Sequence, residues 1–462
     1  MPFFIDLYYE LAFSLNQLKN VLHILIVALV SQIAWNQESK NVQLLDVYND
    51  TTIFLGVEDH RYSDVWAFRS NGDNYVAVGT TEGTEVLLVR DNQLTKVAEQ
   101  PGAFSGYTVV HRDMKTYQNY LYSVCDEGTS TLQVFDTQYL PDSLPKVYDS
   151  NSFFTICHNI FIDENKAKLY ACGPNDLGMK VFDISSPINP ILLHDFNNVN
   201  YVHDAFVSND TAFLNCGAEG LHVYDFSGSM PIQLGVLDFY ANQGYNHSGW
   251  MSPSRAYYSF IDEDQGTKVK LCELSDLATI QIDELFAPTE YQDYTPHNVV
   301  LLDKTAFVSY YNLGFRIFDI SKKPIKEIGF YDTFHQETSY TQNGAWGVTL
   351  IEEENQVIIA DRQNGIFLFS VPIDILESER EGTIVTSNPF IDEDSRILPK
   401  EYFGEDGIKF SVFALDGSRV YFQESLNNWM NIPLTLSAGA YSFGIYDSDG
   451  ELLESGKFVK AN

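Results

Sequence analysis

The sequence predicts an all-β chain: a seven-bladed β-propeller followed by a small immunoglobulin-like β-sandwich. The first observation is a closing motif of hydrophobic, aromatic and acidic residues, as in VFD, VYD and IFD. Its copies, degenerate at both ends, run from Leu88 to Ser370 at a mean spacing of 47 residues. The second is an opening motif, often His followed by Asn or Asp, which keeps step with the first. Each marker occurs seven times, and a period in the forties is typical of propeller blades.

Residues 1–36 are predicted to be a signal peptide region. The apolar run 21–35, VLHILIVALVSQIAW, is short for a membrane span and lies where a secretory signal is expected. A membrane anchor is the alternative for this run. Asp6 and Glu10 do not suit the positively charged start of a signal peptide, so we expect translation to begin at Leu18.

Residues 37–371 are predicted to form the propeller. One repeat contains four short runs, HNIFI, KLYACG, MKVFDI and PILLHDF, separated by residues that favour turns. The runs are too short for helices and alternate in polarity instead. VQLLDVYND (42–50) resembles the fourth strand of a repeat, whereas the last repeat stops after GIFLFSV. We therefore expect the N-terminal strand to complete the last blade, which removes an exposed sheet edge.

The C-terminal part of the chain differs in pattern from the repeats. Residues 372–384 are charged and lack a strand pattern, which indicates a linker. Residues 385–462 alternate tightly and contain Asp416-Gly417 and Asp449-Gly450, two dipeptides typical of hairpin turns. The size and pattern predict a minimal immunoglobulin-like sandwich.

Composition narrows the possible partners. The chain has 28 basic and 63 acidic residues and a net charge of −35. Nucleic acid is excluded as a partner because phosphates are held by Lys and Arg clusters, which this sequence lacks. The spread of acidic residues favours a soluble exterior, and we expect a monomeric mature chain. Five cysteines, an odd number, argue against a complete disulfide framework. Cys125, Cys172 and Cys216 recur at the same place in the repeat, and we expect them to pack as small buried side chains.

The opening motifs supply the candidate functional residues. The innermost strands of a propeller surround its central channel and run in the same direction, so equivalent positions should meet at one mouth. The predicted ligand-binding residues there are Asp64, Trp66, Arg112, Asp113, His158, His203, Asp204, His247, Trp250, His297 and Trp346.

Three interpretations of this mouth remain open. His158, His203, His247 and His297 are candidate ligands of a divalent metal such as zinc, because histidines from separate strands can converge on one ion. Arg112 with partly protonated histidines would instead suit a carboxylate or a phosphate. In the third interpretation each histidine bonds to the backbone of the adjacent blade and serves only the fold.

Two acidic clusters offer weaker candidate chemistry. Asp262-Glu263-Asp264 and Asp392-Glu393-Asp394 are predicted to be solvated turns. Calcium is the minority alternative, since neither cluster has a full loop of oxygen ligands.

The repeat region resembles a known family. The opening motifs that carry the resemblance are Ser63-Asp64-Val65-Trp66, Arg112-Asp113-Met114-Lys115, His158-Asn159, His203-Asp204, His247-Ser248-Gly249-Trp250, His297-Asn298 and Asn343-Gly344-Ala345-Trp346. In this order they resemble the choice-of-anchor B family of LVIVD-repeat proteins. The resemblance implies a propeller joined to a variable C-terminal anchoring or sorting signal, and it implies no particular enzymatic activity.

The C-terminal region also resembles a known family, the C-terminal sorting domain of the type IX secretion system of Bacteroidetes. The resemblance rests on an Asn-Pro-Phe opening, LSAGAY and a final GKFVK. The residues of the sorting signal would be Asn388, Pro389, Gly439, Tyr441, Gly456, Lys457 and Lys460. It implies that the type IX secretion machinery is a partner, and that the protein crosses the inner and outer membranes to the cell surface or the medium.

Two functions follow from these expectations. The favoured one is a non-enzymatic, exported propeller that binds a protein, a glycan or a small ligand, because the sequence contains no nucleophile elbow, phosphate loop or zinc-finger spacing. The alternative is a metal-dependent hydrolase or lyase that uses the histidines at the channel mouth.

Overall fold

The computed structural model describes residues 39–288, 295–334 and 342–372, together with the short segments 384–385, 396–397, 409–414, 418–424, 430–431, 439–446 and 452–460. The predicted signal region, linker residues 373–383, and Asn388 and Pro389 of the predicted sorting signal lie outside this part of the chain. Among the described residues, no helix is long and apolar enough to cross a membrane. The helical turns described are 3₁₀ turns at Val57–Asp59, Thr137–Tyr139, Glu164–Lys166, Pro174–Asp176, Leu277–Thr279 and Glu352–Glu354.

The repeats fold into antiparallel sheets made of consecutive strands. Two strands come first, β1 (Ser39–Lys40) and β2 (Gln43–Tyr48). The first three sheets contain β3 (Tyr62–Ser70), β4 (Asp73–Thr80), β5 (Gly83–Arg90) and β6 (Gln93–Pro101); β7 (Arg112–Tyr117), β8 (Tyr120–Cys125), β9 (Leu132–Asp136) and β10 (Lys146–Ser150); and β11 (Asn159–Asp163), β12 (Lys168–Cys172), β13 (Met179–Asp183) and β14 (Ile191–Phe196).

The same four-strand order continues along the chain. The next three sheets contain β15 (Asp204–Ser208), β16 (Thr211–Asn215), β17 (Leu221–Asp225) and β18 (Ile232–Leu237); β19 (Asn246–Met251), β20 (Tyr257–Asp262), β21 (Val269–Glu273) and β22 (Ile282–Phe286); and β23 (Asn298–Leu301), β24 (Thr305–Tyr310), β25 (Gly314–Asp319) and β26 (Lys326–Tyr331). The short strand β1 adds a fifth strand to the last of these sheets, beside β26.

The seventh sheet is completed by a strand from the beginning of the repeat region. It contains β27 (Ala345–Ile351), β28 (Gln356–Asp361) and β29 (Gly365–Ser370), and its fourth strand is β2. β2 pairs antiparallel with β29, with Gln43 opposite Ser370 and Tyr48 opposite Ile366. The predicted closure by residues 42–50 is therefore confirmed.

The hydrophobic core lies between the sheets. Seven clusters of buried side chains are described, and each joins two successive sheets. In the cluster that joins the last sheet to the first, Val76 and Leu87 pack with Ile358 and Leu368. Full burial of such a side chain contributes about 1.5–3 kcal/mol. The sheets consequently form a closed circle, and every sheet buries both faces against its neighbours.

The cysteines belong to this core. All five are buried and unpaired, as the sequence predicts for Cys125, Cys172 and Cys216. Burial raises the pKa of the Cys125 thiol to about 11, so that it stays protonated at neutral pH.

The C-terminal strands form a separate sheet. Its order is β30 (Ile384–Val385), β36 (Leu452–Lys460), β35 (Gly439–Tyr446), β32 (Lys409–Ala414) and β33 (Arg419–Glu424), and β31 (Arg396–Ile397) pairs with β34 (Met430–Asn431). β32 and β33 pair antiparallel on either side of the predicted Asp416-Gly417 turn. The immunoglobulin-like class of this region stays a prediction.

Candidate functional site

The first strands of the seven sheets surround a common channel. A cavity of about 220 Å³ is lined by residues from β3, β7, β11, β15, β19, β23 and β27. Alternate residues of these strands point into it, since side chains at positions i and i+2 share one face of a strand. Asn159 and Phe161 are one such pair, and Asp64 and Trp66 another.

Five histidines and a tryptophan form a closed belt where these strands begin. We name this group the histidine belt; its members are His111, His158, His203, His247, His297 and Trp346. In that order, successive ring centroids lie 4.6, 4.0, 4.2, 4.4 and 4.1 Å apart, and 5.6 Å separates Trp346 from His111. The four histidines predicted as metal ligands therefore do lie together.

The position of Arg112 differs from the one that the sequence predicts. Arg112 is absent from the belt, and His111 occupies the corresponding position. The Arg112 guanidinium instead donates to the carbonyl oxygens of Thr80, at 2.8 Å, and of Phe104. Adjacent residues of an extended chain point to opposite sides, so only one of the two can face the mouth. Arg112 thus ties the first two sheets together, which rules it out as the expected anion ligand.

Trp346 likewise differs from the other two predicted tryptophans. It belongs to the belt, and the Arg362 guanidinium lies 4.8 Å from its ring centroid. Trp66 and Trp250 line the channel cavity instead. Trp346 therefore belongs to the histidine belt, whereas Trp66 and Trp250 belong to the wall of the channel cavity.

Two belt histidines bond to the backbone of the next sheet. His203 Nδ1 lies 3.0 Å from the carbonyl oxygen of His247, and His297 Nδ1 lies 2.9 Å from that of Trp346. A carbonyl oxygen only accepts, so each Nδ1 carries the proton and each Nε2 of the neutral ring keeps its lone pair. The interpretation in which histidines link adjacent blades is confirmed for these two residues, and it accounts for only one nitrogen of each.

Burial keeps most of the belt uncharged. Burial, reinforced by neighbouring histidines, lowers the pKa of His111, His203 and His297 well below the ordinary value. It lowers the pKa of His247 to about 3. Neutral imidazole is a good metal ligand and a poor partner for an anion.

His158 is the exception. Burial lowers its pKa, but the hydrogen bond and the charge of Asp126 outweigh this effect, so the pKa lies above the ordinary value. The His158 Nδ1 is 2.8 Å from an Asp126 carboxylate oxygen. This one belt member is therefore the first to gain a proton as the pH falls.

Several belt atoms are buried without a hydrogen-bond partner in the described part of the chain. They are both ring nitrogens of His111, Nδ1 of His247, Nε2 of His297 and Nε1 of Trp346. Because an unpaired buried polar group costs about 1–3 kcal/mol, these atoms offer bonding capacity to a molecule that enters the belt.

Glu263 lies next to the belt and contacts His247. Its Oε2 lies 3.6 Å from His247 Nε2, and the Tyr311 hydroxyl donates to its Oε1. Ligand atoms of His203, His247 and Glu263 all lie within 4.8 Å of one another. Burial raises the pKa of Glu263, while the Tyr311 hydroxyl opposes the shift.

The prediction of a solvated turn at 262–264 is wrong for its first two residues. Asp262 is fully buried and accepts from the Tyr240 hydroxyl at 2.9 Å, and Glu263 is only partly exposed. The acidic run resembles a turn in sequence, but Asp262 is the last residue of β20, where its carboxylate contacts Tyr240 and, at 2.9 Å, Lys270 Nζ.

The channel below the belt contains a buried ion pair. Lys115 Nζ lies 2.7 Å from Asp113 Oδ1 and 4.8 Å from the centroid of the Trp66 ring. Burial and the charge of Asp113 raise the pKa of Asp64 to about 8. Burial raises the pKa of Asp204 to about 7, although Lys115 opposes the shift. Three aspartates thus share one cation.

The shape of the channel depends on one glycine. A Cβ atom at Gly347 would lie 2.3 Å from Asp64 Oδ1, well inside contact distance. The absence of a side chain there gives the Asp64 carboxylate its space.

The cavity walls are aromatic. Trp250 packs edge-on against Phe206, with ring centroids 5.1 Å apart, and Phe161 lies 5.0 Å from Phe206. Trp66, Phe161 and Trp250 form an apolar wall of the cavity, while Asp204 and the amides of Asn159 and Asn298 provide polar groups in the same cavity. An apolar wall with a few polar groups is the usual construction of a small-ligand site.

Residues of the predicted sorting signal lie in paired strands. Gly439 and Tyr441 are in β35, and Gly456, Lys457 and Lys460 are in β36. β35 and β36 pair antiparallel, with Tyr441 opposite Phe458.

Comparisons with known proteins identify the architecture. No protein-family model and no curated protein matches the chain. The solved structure of U3-55K is similar, with a TM-score of 0.51, 12% identity, and coverage of 69% of this chain and 97% of that one. The β-propeller domain of Myceliophteria thermophila Cps50 (Swd1) is also similar, with a TM-score of 0.50, 11% identity, and coverage of 72% and 100%. At such identities the likeness shows the fold alone, and that fold is a β-propeller.

Proposed function

We propose that this chain is an exported, seven-bladed β-propeller that recognises a partner molecule and catalyses no reaction. The seven described sheets would be the blades, and residues 37–371 the recognition domain. The observation that carries the proposal is the channel cavity, which combines aromatic walls with carboxylate and amide groups. A rigid ring that presents such a cavity suits recognition.

The polar groups and aromatic rings of the cavity limit the chemical class of ligand that can bind there. Its polar groups are mainly oxygen acceptors, and its single ammonium is already paired with Asp113. The inserted group should therefore carry hydrogen-bond donors or a positive charge, and it should have a flat or apolar face for Trp66 and Trp250. The end of a glycan and a protein side chain with an amine meet this description.

Binding to immobilised glycans and to small amines tests the proposal. Trp250→Ala and Asp204→Asn should each weaken binding of a detected ligand at least about tenfold, because stacking and one charged hydrogen bond are each worth about 1.4 kcal/mol or more. Phe239→Ala is the matched control, since Phe239 is 86% exposed and lies outside the cavity. If all three variants bind the ligand with equal affinity, the ligand does not bind in the cavity, and the proposal is contradicted.

Export is part of the same proposal. We propose that the chain is a choice-of-anchor B protein whose residues 385–462 are read by the type IX secretion machinery. The support is the pair of motif resemblances, together with the strand pairing that brings Tyr441 and Lys457 onto neighbouring strands. Antibody labelling of intact cells and of the medium should detect the full chain and fail to detect a chain that ends at residue 384. Equal surface signals from both chains would refute a sorting role.

A second candidate function is a metal-dependent hydrolase or lyase at the histidine belt. The cluster of His203, His247 and Glu263 favours it, because three protein ligands leave a coordination position for water. Turnover of ester, phosphodiester or glycoside substrates that depends on added Zn²⁺ and is lost in Glu263→Gln would support it. Absence of turnover across these substrate classes would leave recognition as the function.

A further inference from the structure

The histidine belt and the adjacent Glu263 bring three potential metal-ligand side chains close together. Ligand atoms of His203, His247 and Glu263 lie within 4.8 Å of one another, and the two histidines are buried. The residues come from different strands and connections of two neighbouring sheets, so no single loop brings them together.

The hydrogen bond of His203 fixes which nitrogen is available. Its Nδ1 donates to the His247 carbonyl oxygen, which leaves the lone pair on Nε2. Metal-bound histidines nearly always donate their second nitrogen in this way, and the bond sets both the tautomer and the ring orientation. The link between sheets and the ligand role thus use different nitrogens of one ring.

Glu263 is prepared in the same manner. The Tyr311 hydroxyl donates to Oε1, and the Gln342 amide lies 3.4 Å from that same atom. Oε2 faces His247 Nε2 at 3.6 Å. One carboxylate oxygen is therefore held by the protein, and the other is directed toward the histidines.

We infer that the histidine belt binds one divalent first-row transition-metal ion, of the zinc class, through Nε2 of His203, Nε2 of His247 and Oε2 of Glu263. Two imidazoles and a carboxylate favour such an ion over calcium, which prefers six or more oxygens. With bonds of about 2.0–2.1 Å, tetrahedral ligand atoms lie about 3.4 Å apart. The 3.6 Å distance is close to this value, and the longest separation must shorten by up to about 1.4 Å.

This inference is independent of ligand recognition in the channel, because the cavity residues and the three metal ligands are different side chains. It also assigns different roles within the belt. His297 has the same backbone bond as His203 but lies outside the cluster, so it links two sheets and is not one of the three proposed ligands.

Cobalt binding to the purified full chain tests the inference. After removal of metal with a chelator, Co²⁺ should bind at one equivalent per chain and give the visible absorption of a four- or five-coordinate ion, and Zn²⁺ should displace it. His203→Asn keeps a donor near the Nδ1 position and removes Nε2, and Glu263→Gln keeps the contact with Tyr311. Because loss of a supporting group alone costs about 10–100-fold in affinity, each variant should weaken binding by more than about 100-fold.

His222→Asn is the matched control, because His222 lies outside the belt, with its Nε2 3.2 Å from the Glu219 carbonyl oxygen, and this variant should bind Co²⁺ like the wild type. Thermal unfolding of all variants, without metal, separates loss of the site from loss of the fold. The inference is overturned if the wild-type chain binds no Co²⁺, or if His222→Asn weakens binding as much as His203→Asn does. A variant that fails to fold is replaced by His247→Gln, for which the same loss is expected.

Discussion

Replacement of Lys115 by Met should destabilise the protein through the charges of the channel. Lys115 is the cation that faces Asp113, Asp64 and Asp204, and its Nζ lies 2.7 Å from Asp113 Oδ1. The side chains of Lys115 and Asp113 are 9% and 1% exposed, so water replaces little of the lost interaction. Removal of one partner of a buried ion pair costs about 3–5 kcal/mol, and we expect Lys115→Met to lower the free energy of unfolding by that amount.

Urea unfolding followed by tryptophan fluorescence measures this loss. The double variant Lys115→Met/Asp113→Asn should recover most of it, because the introduced amide carries no charge and its oxygen can still accept from the Ile160 amide, which now lies 2.8 Å from Asp113 Oδ2. Lys323→Met, which removes an exposed lysine, should leave the midpoint unchanged. The single-variant deficit should shrink at low pH, where the remaining carboxyls take up protons. A single-variant cost below about 1 kcal/mol, or no recovery in the double variant, would refute the reasoning.

Three further predictions concern other parts of the ring. The pKa of Asp64 rises from 3.8 to about 8 on folding, so the folded state holds this proton more tightly than the unfolded state does. The free energy of unfolding should therefore fall as the pH rises from about 4 to about 8. Asp64→Asn should reduce this pH dependence when urea unfolding is compared at about pH 5 and pH 8. Arg112→Leu leaves the carbonyls of Thr80 and Phe104 without their donor and should cost about 3 kcal/mol in thermal unfolding, whereas an unchanged midpoint would contradict the role given to Arg112. A chain that lacks residues 39–50 exposes the edge of β29 and should aggregate in light scattering, and a peptide of that sequence should reduce the aggregation.

The architecture can be predicted from the sequence because the same motifs recur in successive repeats. The opening and closing motifs recur seven times in step, so the assignment of one degenerate copy is supported by the others. The closure by residues 42–50 was predictable for the same reason, since a strand with the fourth-strand pattern had no partner nearby. The C-terminal region has a single copy of its pattern, and its class has no such internal check.

The site was less predictable, because side-chain direction depends on one-residue shifts that a motif does not reveal. Arg112 and His111 are adjacent, and only the structure decides which one enters the belt. Glu263 and Asp126 were missed because they lie at the ends of β20 and β8, far in sequence from the histidines they contact. One signal was present: an acid follows the second strand in both repeats, beside a hairpin that returns toward the channel mouth.

The pairing of β2 with β29 also sets an order of events during synthesis. β2 leaves the ribosome long before the other strands of its own sheet, and its partner β29 is the last of them, because Gln43 lies opposite Ser370. At equilibrium this long closure adds little cost, since each doubling of loop length adds only about 0.6 kcal/mol. The closure affects the folding rate more than the stability. The ring of sheets stays open until almost the whole repeat region has been synthesised, and contacts so distant in sequence form slowly.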